Sequence, residues 1–119
     1  MIVIAEIGSN PALRGWNMAE FCAQAALAGA SHVKVQLFRA EHFPAEEQAA
    51  KRALEFPRGQ LSEFVQAAHE EGLRAGASVF DLEAVGLARK HLDFIKLAAR
   101  ERHNRELTGW VNAAISLAG

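Results

Sequence analysis

Only one cysteine, Cys22, occurs among the 119 residues, so no intrachain disulfide can form and nothing points to a secreted disulfide scaffold. Its setting in "MAEFCAQAALAGA" is that of a small thiol packed on a helix. Charge of neither sign is in excess: thirteen basic and fourteen acidic side chains leave a net charge of −1. That balance gives no electrostatic basis for binding nucleic acid or an anionic membrane surface. No apolar run approaches the roughly 20 residues of a membrane-spanning helix. The start "MIVIAEIG" lacks both the basic opening and the apolar length of a signal peptide. A cytoplasmic protein is expected. The histidines at 32, 42, 69, 91 and 103 show no His-x-His or His-x-x-x-His spacing, so no metal site can be read from them. Dinucleotide and P-loop glycine patterns are also missing, and Ser9 and Ser78 have no legible His–Asp companions.

What the chain does have is a repeated alternation. Four short apolar runs, "IVIAEI" (2–7), "VKVQLF" (33–38), "RAGASVF" (74–80) and "FIKLAA" (94–99), are separated by stretches with helical spacing. The first helix is expected over about 17–28, with Asn17 as its N-cap and Gly29 as its stop. The second covers about 60–71 and ends at Gly72, with Leu61, Phe64, Val65 and Ala68 on one apolar stripe. A third opens after Asp81, and a fourth follows Asn104 with Leu107, Trp110, Val111, Ala114 and Ile115 at helical spacing. A further helical turn or two, opened by Pro44, is expected in "PAEEQAAKRALEF".

Strand–helix units repeated four times imply parallel strands joined by right-handed crossovers, an α/β fold. Strands this apolar are expected to be covered on both faces. A (β/α)8 barrel takes roughly 250 residues, so a chain of 119 residues supplies about half of one. Four strands alone leave two open edges, which invite pairing with another chain. A small open sheet, a pair of halves and a piece of a larger protein are all compatible with this pattern.

Polar residues interrupt these strands. Lys34 and Gln36 are two apart and therefore share a face. Glu6 lies near the end of the first run and Lys96 inside the fourth. In α/β sheets reactive groups gather at the carboxyl ends of strands, where Glu6, Ser9, Asn10, Ser78, Asp81 and Glu101 also fall. A buried ammonium is costly unless an anion compensates it. Two lysines and two carboxylates aimed at one cavity compensate one another, and the lysines suit a phosphate or carboxylate ligand. Taken singly, each residue is more simply a solvated or edge position; three interrupted strands together weigh a site evenly against that structural reading. His69 and His91 fit helix C-termini, His103 lies beside Glu101, and "EEQAAKR" reads as a solvated helix face.

In order along the chain, "IAEIGSN", an alanine-rich helix ending "AGA", "VKVQLF", "FD" opening a helix and "FIKLAARE" resemble the N-terminal half of the N-acetylneuraminate (sialic acid) synthase family. The resemblance spans nearly the whole chain. It implies that residues 1–119 form a single (βα)4 half-barrel domain, half of a (β/α)8 barrel, in proteins that are commonly dimers with a C-terminal antifreeze-like domain. It also implies condensation of phosphoenolpyruvate with N-acetylmannosamine or a related amino sugar, with release of phosphate and a divalent metal, Mn2+ or Mg2+. By motif, Glu6 corresponds to the strand-one carboxylate at the substrate and water side, and Glu101 to the acid closing "K-I-x-S-G-E"; both are catalytic candidates. Lys34 and Lys96 correspond to phosphoenolpyruvate-binding lysines, Ser78 to the hydroxyl residue of "S-T-P-F-D", and Asn10 to the Asn of an "N-H" pair. Gln36 joins these as a substrate-binding candidate beside Lys34.

The chain departs from that pattern at Pro11, where the family has His, and at "ASVFD", which replaces "STPFD". Ala99 replaces a phosphate-contacting Ser, and Arg100 a Gly; the arginine either restores positive charge or blocks the pocket. The family's metal-binding histidines lie in the second half-barrel, so their counterparts are not in this chain. Two readings follow: a synthase-like protein working as a homodimer or with a missing C-terminal half, or a catalytically inactive half-barrel with at most weak anion binding.

Overall fold

The computed structural model describes the backbone of residues 1–98, 101 and 103–118, and side chains as far as residue 112. Its four strands are β1 (Ile4–Gly8), β2 (His32–Leu37), β3 (Arg74–Val79) and β4 (Phe94–Leu97). Five α-helices accompany them: α1 (Met18–Leu27), α2 (Gln48–Leu54), α3 (Leu61–Glu70), α4 (Leu82–His91) and α5 (Arg105–Ala118). The strands form one parallel sheet in the order β1-β2-β3-β4. The α/β alternation expected from the sequence is therefore present. Ala99 and Arg100, at the end of the expected fourth strand, lie outside the described residues.

Local signals set the helix ends. Asn17 accepts the Glu20 N–H and caps α1; Asp81 accepts the Ala84 N–H and caps α4; Asn104 accepts the Leu107 N–H at the start of α5. Gly29 and Gly72 follow α1 and α3 in the left-handed backbone region that suits glycine. The link opened by Pro44 becomes a short 3-10 turn and then α2.

Strand alternation then sorts the side chains into two faces. Ile7, Val33, Val35, Leu37, Ala75, Ala77 and Val79 point to one side. There they join Met18 and Cys22 of α1, Leu61, Phe64 and Ala68 of α3, Ala84, Val85 and Ala88 of α4, and Leu107 and Val111 of α5 in a single buried cluster. Burial raises the Cys22 thiol pKa to about 11, with the nearby Glu71 charge adding to it. It is a packed, unreactive thiol. Phe64 meets Phe56 edge-on, and Phe56 meets Trp16 likewise.

The expectation that both faces are covered is corrected here. With neighbouring strands in chain order and every crossover of the same hand, all connecting helices fall on one side of the sheet. On the other face Glu6 and Lys96 are exposed. At the amino end of that face Phe94 lies over Gly76 and meets His32 edge-on, with ring centroids 5.5 Å apart. A Cβ on Gly76 would fall 2.4 Å from three atoms of the Phe94 ring. Gly76→Ala should therefore displace the ring and lower stability by about 1–3 kcal/mol. Urea unfolding checks this, and an unchanged midpoint would show that the ring does not pack there.

Candidate functional site

Sheet register builds the polar face in rows. Glu6, Lys34 and Gly76 are lateral neighbours in the first row, and Gln36, Ser78 and Lys96 in the second. Lys34 Nζ reaches across the rows. It lies 2.5 Å from Glu6 Oε2 and donates to Ser78 Oγ at 2.8 Å. Its side chain is only 7% exposed, whereas that of Glu6 is 45% exposed. The ammonium thus has the anionic partner that burial demands, while the carboxylate still meets water.

The carboxylate is aimed by the backbone. Pairing of β1 with β2 shifts register between Glu6 and Gly8, a β-bulge. Gly8 adopts φ +55° and donates its N–H to Glu6 Oε1 at 3.0 Å. A glycine tolerates this backbone without strain. One oxygen of Glu6 is therefore held by its own strand end and the other by Lys34.

Among the sequence candidates, the structure brings Glu6, Lys34 and Ser78 into direct contact. Gln36 and Lys96 flank Ser78 on the same face, the first half-buried and the second exposed. Lys96 has no hydrogen-bond or ion-pair partner among the described residues. Asn10 is exposed at the start of a 3-10 turn after β1, and Pro11 beside it is buried. Glu101 stands elsewhere. It lines an open cleft of about 510 Å3 with Arg39, His42, Asp81, Glu83 and Asn104.

That cleft carries a charge network the sequence reading did not identify. Arg58 donates to both carboxylate oxygens of Asp81, at 3.2 and 2.9 Å, and lies 3.2 Å from Glu83 Oε1. Arg39 donates to Glu55 at 2.9 Å and to Glu83 at 2.5 Å. Burial pushes the Asp81 carboxyl upward, but the Arg58 hydrogen bonds, the Ala84 N–H and the charges of Arg58 and His42 outweigh it. The group is held below its ordinary value. Glu55 responds in the same way: burial is outweighed by the Ala40 N–H and by Arg39. The only available signal was positional, since Arg39 and Asp81 follow β2 and β3 directly. Their partners are distant in the chain.

At the opposite end of the sheet His69 lies 2.7 Å from Asp93, which also accepts the Ala75 N–H. That pair ties α3 to the start of β4, which gives His69 a structural role. No group of three or more His, Cys, Asp or Glu side chains among the described residues could hold a metal ion. The donors on the polar face do not suit Mn2+ or Mg2+, because Glu6 is engaged by Lys34 and oxygen ligands are otherwise few. No described helix is long and apolar enough to cross a membrane.

The sequence matches no family model and no curated protein. A solved structure does align with the chain: the N-acetylneuraminic acid (sialic acid) synthetase of Leptospira borgpetersenii serovar Hardjo-bovis, determined in complex with citrate. The TM-score is 0.78 at 18% sequence identity, over 95% of this chain and 48% of that one. In fold, this chain matches half of a sialic acid synthetase. It spans about half of that protein's length. The four-stranded parallel sheet and its helices are the shared part, and at this identity the likeness is one of fold.

Proposed function

We propose that the polar face is an anion site of the sialic acid synthase type. In this reading the chain is the N-terminal half of a catalytic barrel and takes phosphoenolpyruvate as its anionic substrate. The observation that carries the reading is the buried Lys34, held by Glu6 and Ser78 on a face that also presents Lys96, which has no partner among the described residues. Phosphoenolpyruvate has a phosphate and a carboxylate, and two ammonium groups are suitable counter-charges for them. The half-exposed Glu6 can turn to water when a stronger anion arrives, which frees Lys34 for the ligand. Glu6 is then placed to orient a sugar hydroxyl or a water and to accept a proton. Gln36 and Ser78 supply neutral hydrogen bonds between the two lysines.

The full reaction proposed is condensation with N-acetylmannosamine or a related amino sugar in the cytoplasm, giving a nonulosonic acid and phosphate. It requires the rest of the barrel, supplied by a larger protein or by an oligomer. Asn10 and Glu101 belong to the proposed site only through the motif resemblance, since the cleft around Glu101 is lined by other residues. The alternative, a catalytically inactive half-barrel with at most weak anion binding, rests on the departures from the motif, among them Pro11, buried where the family has His.

Calorimetric titration with phosphoenolpyruvate, followed by a phosphate-release assay with N-acetylmannosamine and Mn2+, separates these readings. Binding with turnover supports the synthase. Binding without turnover supports the anion-binding relic. An absence of binding overturns the site.

A further inference from the structure

We propose that Glu6 is an internal occupant of the anion site: its carboxylate holds the place that an oxyanion of the ligand takes, and binding must expel it. The inference rests on the anion-site reading above and adds what fills that site before ligand arrives. Lys34 is buried, and an ammonium at that depth needs a counter-charge whether ligand is present or not. Among the described residues Glu6 supplies it.

The contact has the geometry of a bound ligand. Glu6 Oε1 accepts the Gly8 N–H at 3.0 Å, and Glu6 Oε2 lies 2.5 Å from Lys34 Nζ. Each oxygen of the carboxylate thus has its own donor, one a backbone amide and the other a charged amine. Both donors are fixed by the sheet. Gly8 follows the β-bulge of β1 in a left-handed backbone that suits glycine. Lys34 rises from the interior of β2 and is steadied by its hydrogen bond to Ser78 Oγ at 2.8 Å. The group they hold is different in kind, since it sits at the end of a flexible side chain. Turning Glu6 aside leaves an ammonium and a backbone N–H spaced for two oxygens of one carboxylate or phosphate group.

The approach to Lys34 runs over that carboxylate. Of the two groups on Nζ, Ser78 is buried and Glu6 is open to water. Two anions on one ammonium repel each other, so a ligand oxyanion and Glu6 exclude one another at this position. Affinity is then a difference: the ligand gains Lys34 and Gly8 only after the contacts of Glu6 with both are broken. A single small anion gains little from such an exchange. A ligand with further contacts elsewhere on the face has a surplus, so Glu6 acts as a specificity-determining residue that keeps stray anions off the lysine.

Glu6→Gln tests this, because the amide has the same shape and keeps an oxygen for the Gly8 N–H while giving up the charge on Lys34. Calorimetric titration should show phosphoenolpyruvate binding about tenfold more tightly to this variant than to the wild type. In the Lys34→Met background the same change should alter the residual affinity less than about twofold, since the competition is for the ammonium. In wild-type chain labelled with 15N-glycine, the Gly8 amide resonance should move saturably with phosphoenolpyruvate as its acceptor is exchanged.

Equal or weaker binding by Glu6→Gln overturns the displacement and keeps the anion site, provided the wild type binds. An undiminished gain in the Lys34→Met background also overturns it, because Glu6 would then act as a distant repelling charge. Should Glu6→Gln not fold, the wild-type spectrum decides alone, and a Gly8 amide unmoved at saturation overturns the proposal. No binding by either chain overturns the anion site and its occupant together.

Discussion

Replacing Arg58 with methionine should cost about 3 kcal/mol, because it leaves the largely buried Asp81 carboxylate without its counter-charge. Arg58 is only 6% exposed and grips Asp81, 11% exposed, through two hydrogen bonds. It stands in the 3-10 turn before α3, whereas Asp81 caps α4. The pair therefore fastens two helices of the packed layer to each other. Methionine keeps much of the stem volume, so the loss reads the charge rather than a cavity. The buried Arg58 Nε has no hydrogen-bond partner among the described residues, so the grip on Asp81 runs through the two terminal nitrogens. Against a typical total of about 5–15 kcal/mol, such a loss should lower Tm by roughly 10 °C.

Acid titration gives this prediction an independent arm. The Asp81 pKa is depressed in the folded chain below its ordinary value of 3.8. A depressed carboxyl contributes stability that is complete above the unfolded value and is lost as pH falls through the folded one. Wild type and Arg58→Met should thus differ most near neutral pH. The gap should narrow as pH drops below 3.8, where Asp81 takes up its proton and the arginine loses its partner. A gap that stays constant to low pH would mean that Arg58 contributes packing alone.

What could be read in the sequence was whatever depends on near neighbours. Asn17 caps its helix as expected, and Asp81 and Asn104, after which the later helices were expected to open, cap theirs as well. The two-residue spacing of Lys34 and Gln36 placed both on one face, and the register puts Glu6 directly beside Lys34. Charge compensation was likewise expected, because an ammonium in a strand needs an anion within reach. The rest depends on topology. Coverage on both faces was expected from apolar composition, yet the chain-order sheet leaves one face open. Arg58 and Asp81 are 23 residues apart, and Arg39 and Glu83 are 44 apart. No periodicity brings such pairs together. The same holds for Phe94 over Gly76, where a strand glycine signals a close approach without naming the group that approaches.

Lys34→Met should abolish most phosphoenolpyruvate binding and leave the fold intact. Among the described residues the ammonium touches only Glu6 and Ser78 on this face, and neither depends on it for solvation. Glu6 is half-exposed and keeps the Gly8 N–H; Ser78 loses one donor and retains a rotatable hydroxyl. A buried charge departs and a methionine stem of similar length stays, so stability should hold or rise, within about 1 kcal/mol. Binding answers differently. A charge-assisted hydrogen bond to a ligand is worth about 1.5–3 kcal/mol, so affinity should fall roughly 10- to 100-fold. Calorimetric titration beside thermal unfolding reads both quantities on one sample. Equal affinity in wild type and variant would remove Lys34 from the site. A joint collapse of binding and stability would make it a structural strut, and loss of binding with a Tm that holds or rises places the anion on the sheet face.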